Sequence, residues 1–271
     1  MMGAMEQDTE RPYWAPEGID LDRPNAARMY DYALGGSHNF AVDREMVERV
    51  EAIMPGSSIL AHVNRAFLRR AVNFCLDAGV RQFLDLGAGI PTVGAVHEVA
   101  RARVPDARVV YVDVDPVAVA HGRAILGGNP YATTIAGDVR NAGTILDSPE
   151  VTGLLDLSQP VAVLLIAVLH FVSDADDPAG IVAAVRDRLT PGSYLVLSHG
   201  SREDSPDEAD EVQQVYRGTG TPLSLRTSAE VERFFAGFDL VEPGLTAVTE
   251  WRPDESEPSR REMLGGVGRK R

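Results

Sequence analysis

The sequence predicts an α/β fold: a doubly wound, mostly parallel sheet with helices on both faces. Three observations predict it. Residues 81–113 read as strand, glycine turn, helix, strand and terminal acid, which is the pattern of a nucleotide-binding βαβ unit. Further strand-like runs at 131–136 and 160–166 follow, alternating with helical patterns as in a wound parallel sheet. The run at 160–166 is almost continuously apolar, as expected of a strand buried on both faces.

The elements follow in order. Residues 1–18 are polar and proline-containing and predict a loosely ordered arm. Residues 19–79 read as a helical lid or cap, broken at Pro24, Gly35-Gly36 and Pro55-Gly56. Residues 80–271 form the nucleotide-binding domain. Within it, Asp174, Asp176 and Asp177 precede Pro178 and suit the cap of a helix over 179–189 better than a metal site. The acidic run at 203–211 reads as a solvated loop or helix start. Thr227 or Ser228 caps a helix over 227–235, residues 238–241 and 245–251 are strand material, and the hydrophilic stretch 252–261 loops out. No metal-binding spacing and no internal repeat appear.

The glycine turn narrows the nucleotide. A dinucleotide fingerprint needs G-x-G-x-x-G, but here Gly87-Ala88-Gly89 is followed by Ile90, Pro91 and Thr92. Pro91 removes a backbone donor from any phosphate nest. Asp113 lies 24 residues past Gly89, beyond the roughly 20 of dinucleotide binders. Asp85 precedes the glycines as D-x-G-x-G. A carboxylate there repels a pyrophosphate and suits a cation, such as the sulfonium and ammonium of S-adenosylmethionine. Asp113 can accept both ribose hydroxyls. Asp138, after strand three, can take the adenine amine, with Val139 against the ring, and also cap a helix.

Strand four ends in Ala167-Val168-Leu169-His170-Phe171. Ligands bind at the carboxyl ends of strands where the winding reverses, here between strands one and four, so His170 and Phe171 border the site. In the helical segment ahead of strand one, Tyr30, Asp31, His38 and Asn39 cluster around Gly35-Gly36, which suggests a lid over cofactor or substrate. Arg65 can pair with a ligand carboxylate.

Bulk properties bound the function. The net charge of −14 argues against a nucleic-acid substrate. The single cysteine, Cys75, excludes an intramolecular disulfide framework, and its apolar helical setting predicts a buried, inert thiol. No apolar stretch approaches a membrane span and no signal-like h-region opens the chain, so a cytoplasmic enzyme is expected.

Taken together, RPNAARMYDYALGGSHNFAVDRE (23–45), NRAFLRRAV (64–72), FLDLGAGIPT (83–92), VVYVDVDP (109–116), AVLHFVSD (167–174) and GSYLVLSH (192–199) resemble the S-adenosylmethionine-dependent class I methyltransferases. The closer resemblance is to a bacterial subfamily long catalogued as a domain of unknown function, echoed by TEWRPD (249–254) and LGGVGRKR (264–271). It implies a Rossmann-like seven-stranded sheet with an antiparallel final strand near 263–269. It also implies S-adenosylmethionine as cofactor, S-adenosylhomocysteine as product, and binding residues Arg65, Asp85, Gly87, Ala88, Gly89, Asp113, Val114, Asp138, Val139 and Ala167. It implies no acceptor and no oligomeric state.

Methyl transfer is an in-line displacement that needs alignment and, for a hydroxyl or protonated amine, a base. His170 is the first candidate base. His38 and His199 are alternatives, and Tyr30 or Phe171 can shape the pocket. Asp31, Gly35, Gly36, Asn39 and His199 complete the substrate and lid candidates. The leading expectation is a methyltransferase acting on a small molecule, without nucleic acid or membrane. The alternatives are a catalytically silent S-adenosylmethionine sensor and, disfavoured by the glycine pattern, a nicotinamide oxidoreductase.

Overall fold

The computed structural model describes residues 19–91, 94–217, 219, 221–254 and 259–271. The arm expected over 1–18 lies outside them. Three helices come first: α1 (Ala26–Ala33), α2 (Ala41–Ile53) and α3 (Ile59–Asp77). The wound core follows as β1 (Gln82–Leu86), α4 (Val96–Arg101), β2 (Arg108–Asp113), α5 (Pro116–Leu126), β3 (Ala132–Ala136), α6 (Ala142–Leu146), α7 (Pro149–Leu154), β4 (Ala162–Ile166), α8 (Pro178–Arg188) and β5 (Tyr194–Gly200). The chain closes with α9 (Pro206–Tyr216), α10 (Ser228–Glu232), β6 (Phe238–Leu240), β7 (Thr246–Ala247) and β8 (Met263–Lys270).

The sheet runs β3-β2-β1-β4-β5-β8-β6. Its first five strands are parallel, and β8 inserts antiparallel to β5, from Tyr194 opposite Arg269 to Gly200 opposite Met263. The winding therefore reverses between β1 and β4, as expected. An eighth strand adds to the expected seven. β6 pairs only with the far end of β8 (Gly268–Lys270), which leaves Leu264 and Gly265 to pair with the short β7. The strand expected over 245–251 shrinks to two residues because the chain turns there: Glu250 and Trp251 both donate backbone bonds to the Ala247 carbonyl. That turn buries the Trp251 indole completely.

Local chemistry accounts for the helix starts. Asp115 accepts from Val117 and Ala118 ahead of Pro116, and Asp177 accepts from Gly180 ahead of Pro178. Thr227 and Glu230 form a capping box. β1 and β5 are buried at every residue, so even Asp85, Ser198 and His199 lie inside.

The N-terminal helices tie to this core in two ways. α3 lays Phe67, Leu68, Ala71, Val72, Cys75 and Leu76 into the same apolar cluster as Phe83, Leu164 and Val196. Burial pushes the Cys75 thiol far up, which makes it inert. α1 and α2 are clamped by buried Asp43, whose carboxylate accepts the Asn25 and Phe40 backbone N–H groups and the Arg28 guanidinium. Arg28 also donates to the Asp20 and Arg23 carbonyls.

Phe67 meets Trp251 edge to face at 5.4 Å and has no exposed surface. Phe67→Ala is expected to cost about 3–5 kcal/mol of stability, as large-to-small core substitutions do, measured by urea unfolding against the unsubstituted chain.

Candidate functional site

The carboxyl ends of β1, β2 and β4 open into a cavity of about 410 Å³ that α1–α3, α9 and the start of β8 cover. That volume lies within the usual range of ligand sites.

The glycine turn forms one wall. Gly87 and Gly89 have φ of 72° and 64°, the left-handed region that glycine adopts without strain. A Cβ on Gly87 would stand 2.5 Å from a Val168 methyl, so that position is closed to any side chain. Gly87 and Ala88 donate to the Val112 carbonyl, and Gly89 donates to Asp113 Oδ2 at 2.7 Å. Asp113 Oδ1 accepts from Asp115 at 2.8 Å. Its carboxylate thus holds the end of β2 and the glycine turn together at the cavity edge.

Asp85 lies one strand over. Burial pushes its carboxyl up to about 7, against the pull of Arg65 and with a push from Asp113. Burial also raises Asp113, to about 6, while backbone donors from Asp115 and Gly89 hold it down. Arg65, on α3, lines the same space with its guanidinium 5.5 Å from the Tyr30 ring centre. Its Nε is buried and has no hydrogen-bond partner.

Asp138 accepts the Arg140 backbone N–H and a two-pronged Arg140 guanidinium contact, so it caps its turn and faces the cavity at once. Val114, two-thirds exposed, and Val139 flank it on the cavity wall. At the end of β4, Ala167 has a φ of 57°, a strained value for a residue with a side chain. Ser198 Oγ holds its N–H at 2.9 Å.

A family model described as S-adenosyl methyltransferase matches residues 12–271. The chain belongs to that family. Its cofactor is S-adenosylmethionine. A protein of Thermobifida fusca YX, provisionally described as a methyltransferase, is 40% identical, with 96% of this chain and 99% of that one covered and a TM-score of 0.89. A DUF574 family protein of Streptomyces avermitilis MA-4680 is also 40% identical, covering 93% and 99%, with a TM-score of 0.88. Human N-acetylserotonin methyltransferase, solved with S-adenosylmethionine, shares the fold at 14% identity, covering 92% and 63%, with a TM-score of 0.50. No curated protein matches the chain.

The residues present fit the family's cofactor. The closed glycine turn, the buried carboxylates at the ends of β1 and β2, and the unpartnered Arg65 Nε give complementary groups for a ligand with sulfonium, ammonium and carboxylate ends. All ten residues expected to bind it line this one cavity, as do Tyr30, His170 and Phe171.

Other expected site residues do not line it. His38 stacks on His121 of α5, with ring centres 3.9 Å apart. Asp31 accepts from the His38 backbone and from the Asn39 amide, and a Cβ on Gly36 would overlap the Asp31 carboxylate. Asp31, Gly35, Gly36, His38 and Asn39 therefore build the loop between α1 and α2 rather than the cavity wall. His199 is buried behind the wall. Its Nδ1 donates to the Gly200 carbonyl and its Nε2 accepts from Arg226, with burial holding the ring at about 4.

His170 lines the cavity, but its Nδ1 accepts the Gly200 N–H at 3.1 Å. Burial, with His199 and Arg226 nearby, keeps the ring neutral. The neutral proton therefore sits on Nε2, and no ring lone pair is free to act as a base. Tyr30 is likewise committed, since its hydroxyl donates to the Ala61 carbonyl at 3.0 Å and accepts from Asn64. The His170 geometry argues against the base role expected of it, and the Tyr30 geometry agrees with a residue that shapes the pocket. Sequence reasoning also missed Met54, Tyr216 and Glu262 on the cavity wall. They come from α2, α9 and the start of β8, and no local motif marks them.

Among the described residues, no helix is long and apolar enough to cross a membrane.

Asp85 supplies a pH test. In the unliganded protein its raised value means that the neutral acid predominates below about pH 7. That contribution to stability is present at pH 4 and lost as pH rises through 7. A cationic ligand needs the carboxylate, so S-adenosylmethionine affinity should rise by up to about tenfold per pH unit below 7 and then level off. Calorimetric titration from pH 5.5 to 8.5 measures this, and Asp85→Asn should flatten the curve.

Proposed function

We propose that this chain is an S-adenosylmethionine-dependent methyltransferase acting on a small-molecule acceptor. The observation that carries the reading is one cavity whose wall includes both the glycine cradle and apolar side chains of α2 and α9, more space than the cofactor-binding residues alone enclose. A sensor of the cofactor needs the first part and has no use for the second. A cytoplasmic setting agrees with a single cysteine that is buried and inert.

The residue roles follow from their chemistry. Asp113 accepts the ribose hydroxyls, while its other lone pairs keep the glycine turn in place. Asp85 faces the cationic end of the cofactor. Arg65 offers its unpartnered Nε to the carboxylate, a charge-assisted bond in a site poor in competing water. Asp138 accepts the adenine amine, with Val114 and Val139 on either side of the ring. When bound, the cofactor supplies an electrophilic methyl group on a sulfonium.

The chain's own share of the chemistry is alignment and exclusion of water, which can supply several kcal/mol of the barrier. Tyr30, fixed through Ala61 and Asn64, presents its ring as a rigid wall. His170 presents an Nε2–H donor, suited to orienting an acceptor. The helices α1 and α2, clamped to each other by Asp43 and Arg28, act as the lid over the cavity.

Asp113→Ala is expected to weaken S-adenosylmethionine and S-adenosylhomocysteine binding by roughly 10- to 100-fold, the range for hydrogen bonds to a charged group. Titration calorimetry beside NADH is the check. Tight NADH binding, or no sulfur-nucleotide binding by the unsubstituted chain, would overturn the reading.

A further inference from the structure

The acceptor chamber carries information about what enters it. Its walls are apolar: Val50 and Met54 from α2, Val212 and Tyr216 from α9, and Leu223 and Leu225 from the segment that follows. Phe171 and Tyr216 face each other with ring centres 6.0 Å apart and planes tilted by 39°, a pair that presents aromatic surface to the same space. A Cβ on Gly200 would collide with Leu225 at 2.5 Å, so the floor of the chamber is packed tightly.

The charges facing the cavity are unevenly distributed. Two cations line it, Arg65 and Arg140. Arg140 is spent on Asp138, and Arg65 stands beside Asp85 at the cofactor end. The remaining charged lining residues are carboxylates; among them Glu262 pairs with Arg260 at 3.4 Å, and Asp176 accepts from the Ser173 hydroxyl near Arg140. Among the described residues that line the cavity, no cation stands without a neighbouring carboxylate. Bringing an unpaired anion into such a space is costly.

The proton inventory is equally restrictive. His170 offers a proton at Nε2 and holds its Nδ1 lone pair on Gly200. Tyr30 donates its hydroxyl hydrogen bond to the Ala61 carbonyl. An ionised carboxylate is a weak base toward an alcohol or phenol. The nucleophile is therefore one that attacks without first giving up a proton to the protein, as a free amine does.

We propose that the acceptor is an apolar amine carrying an aromatic ring, and that its nitrogen is methylated without a protein base. This rests on the methyltransferase reading above. The nitrogen lone pair forms the new N–C bond while the C–S bond breaks and leaves its electron pair on sulfur as a thioether. The positive charge passes from sulfur to nitrogen. An N–H proton, where the amine has one, then leaves to water. The excess of carboxylates over cations on the cavity wall favours that cationic product and disfavours anionic competitors.

The test uses three matched probes: 2-naphthylmethylamine, 2-naphthol and 2-naphthoic acid. Each is titrated by calorimetry into the full chain saturated with S-adenosylhomocysteine, and each is then offered as a methyl acceptor. The amine is expected to bind at least tenfold more tightly than the acid and to be the probe that is methylated. The acidic limb of its kcat/KM profile should shift with the pKa of the amine when ring-substituted analogues are compared. Glu262→Lys should reverse the charge preference, raising acid affinity at least fivefold while S-adenosylhomocysteine affinity stays unchanged; Glu262→Gln, which removes the charge without setting a second cation beside Arg260, should shift the preference part-way.

An acid that binds as tightly as the amine overturns the proposal. So does faster methylation of the naphthol, with a pH limb that belongs to the protein. So does a failure of all three probes to bind the nucleotide-loaded chain. Failure of S-adenosylhomocysteine itself to bind would instead overturn the methyltransferase reading.

Discussion

Two carboxylates buried at the ends of adjacent parallel strands govern this site. Asp85 ends β1 and Asp113 ends β2, both inside the protein, and each raises the cost of ionising through burial. Asp113 is compensated by backbone: Gly89 and Asp115 donate to it, which forces the chain after β1 into a turn that glycine alone fits without strain. Asp85 is compensated by charge, through Arg65 on α3. The glycine turn and the approach of α3 to the sheet thus answer one electrostatic problem. The residual deficit of positive charge is what makes a cationic cofactor a natural occupant.

A second set of buried polar groups shapes the cover. Asp43 clamps α1 to α2 through Arg28 and two backbone donors. Asp31 gathers the loop between them through His38 and Asn39. The polar density that marks this segment in the sequence is thus mostly consumed in holding α1, α2 and the loop between them. Its contributions to the cavity wall are mostly apolar, among them Ala27, Met29 and Val50, with Tyr30 and Arg65 as the large polar ones. A similar economy holds behind β4. Arg226 reaches the carbonyls of Leu169 and Val172, the carboxylate of Asp174 and the ring of His199. It fixes the turn that carries His170 and Phe171.

The histidines show how partners decide chemistry. His38, His170 and His199 are equivalent candidates as residue types. His38 packs on α5, His199 serves Arg226, and His170 alone reaches the cavity, with its tautomer set by one N–H from β5. The consequence is a site that binds, aligns and donates a hydrogen bond but offers no imidazole base.

By itself the sequence determined the wound sheet, its reversal between strands one and four, and the residues proposed to hold the cofactor. Those features are local: a D-x-G-x-G turn, an acid closing the next strand, and an apolar run long enough for a doubly buried strand all lie within a few residues of what they specify. Only the tertiary structure decided the acceptor half. Met54, Tyr216 and Glu262 come from helices and a strand far apart in the chain. Their meeting depends on β8 inserting antiparallel beside β5 and on α9 packing over α2. The same holds for Ala167, whose left-handed backbone is imposed by Ser198 on the neighbouring strand. Cofactor recognition was legible because contiguous backbone makes it. The acceptor chamber was not, because long-range packing sets its shape, charge and proton inventory.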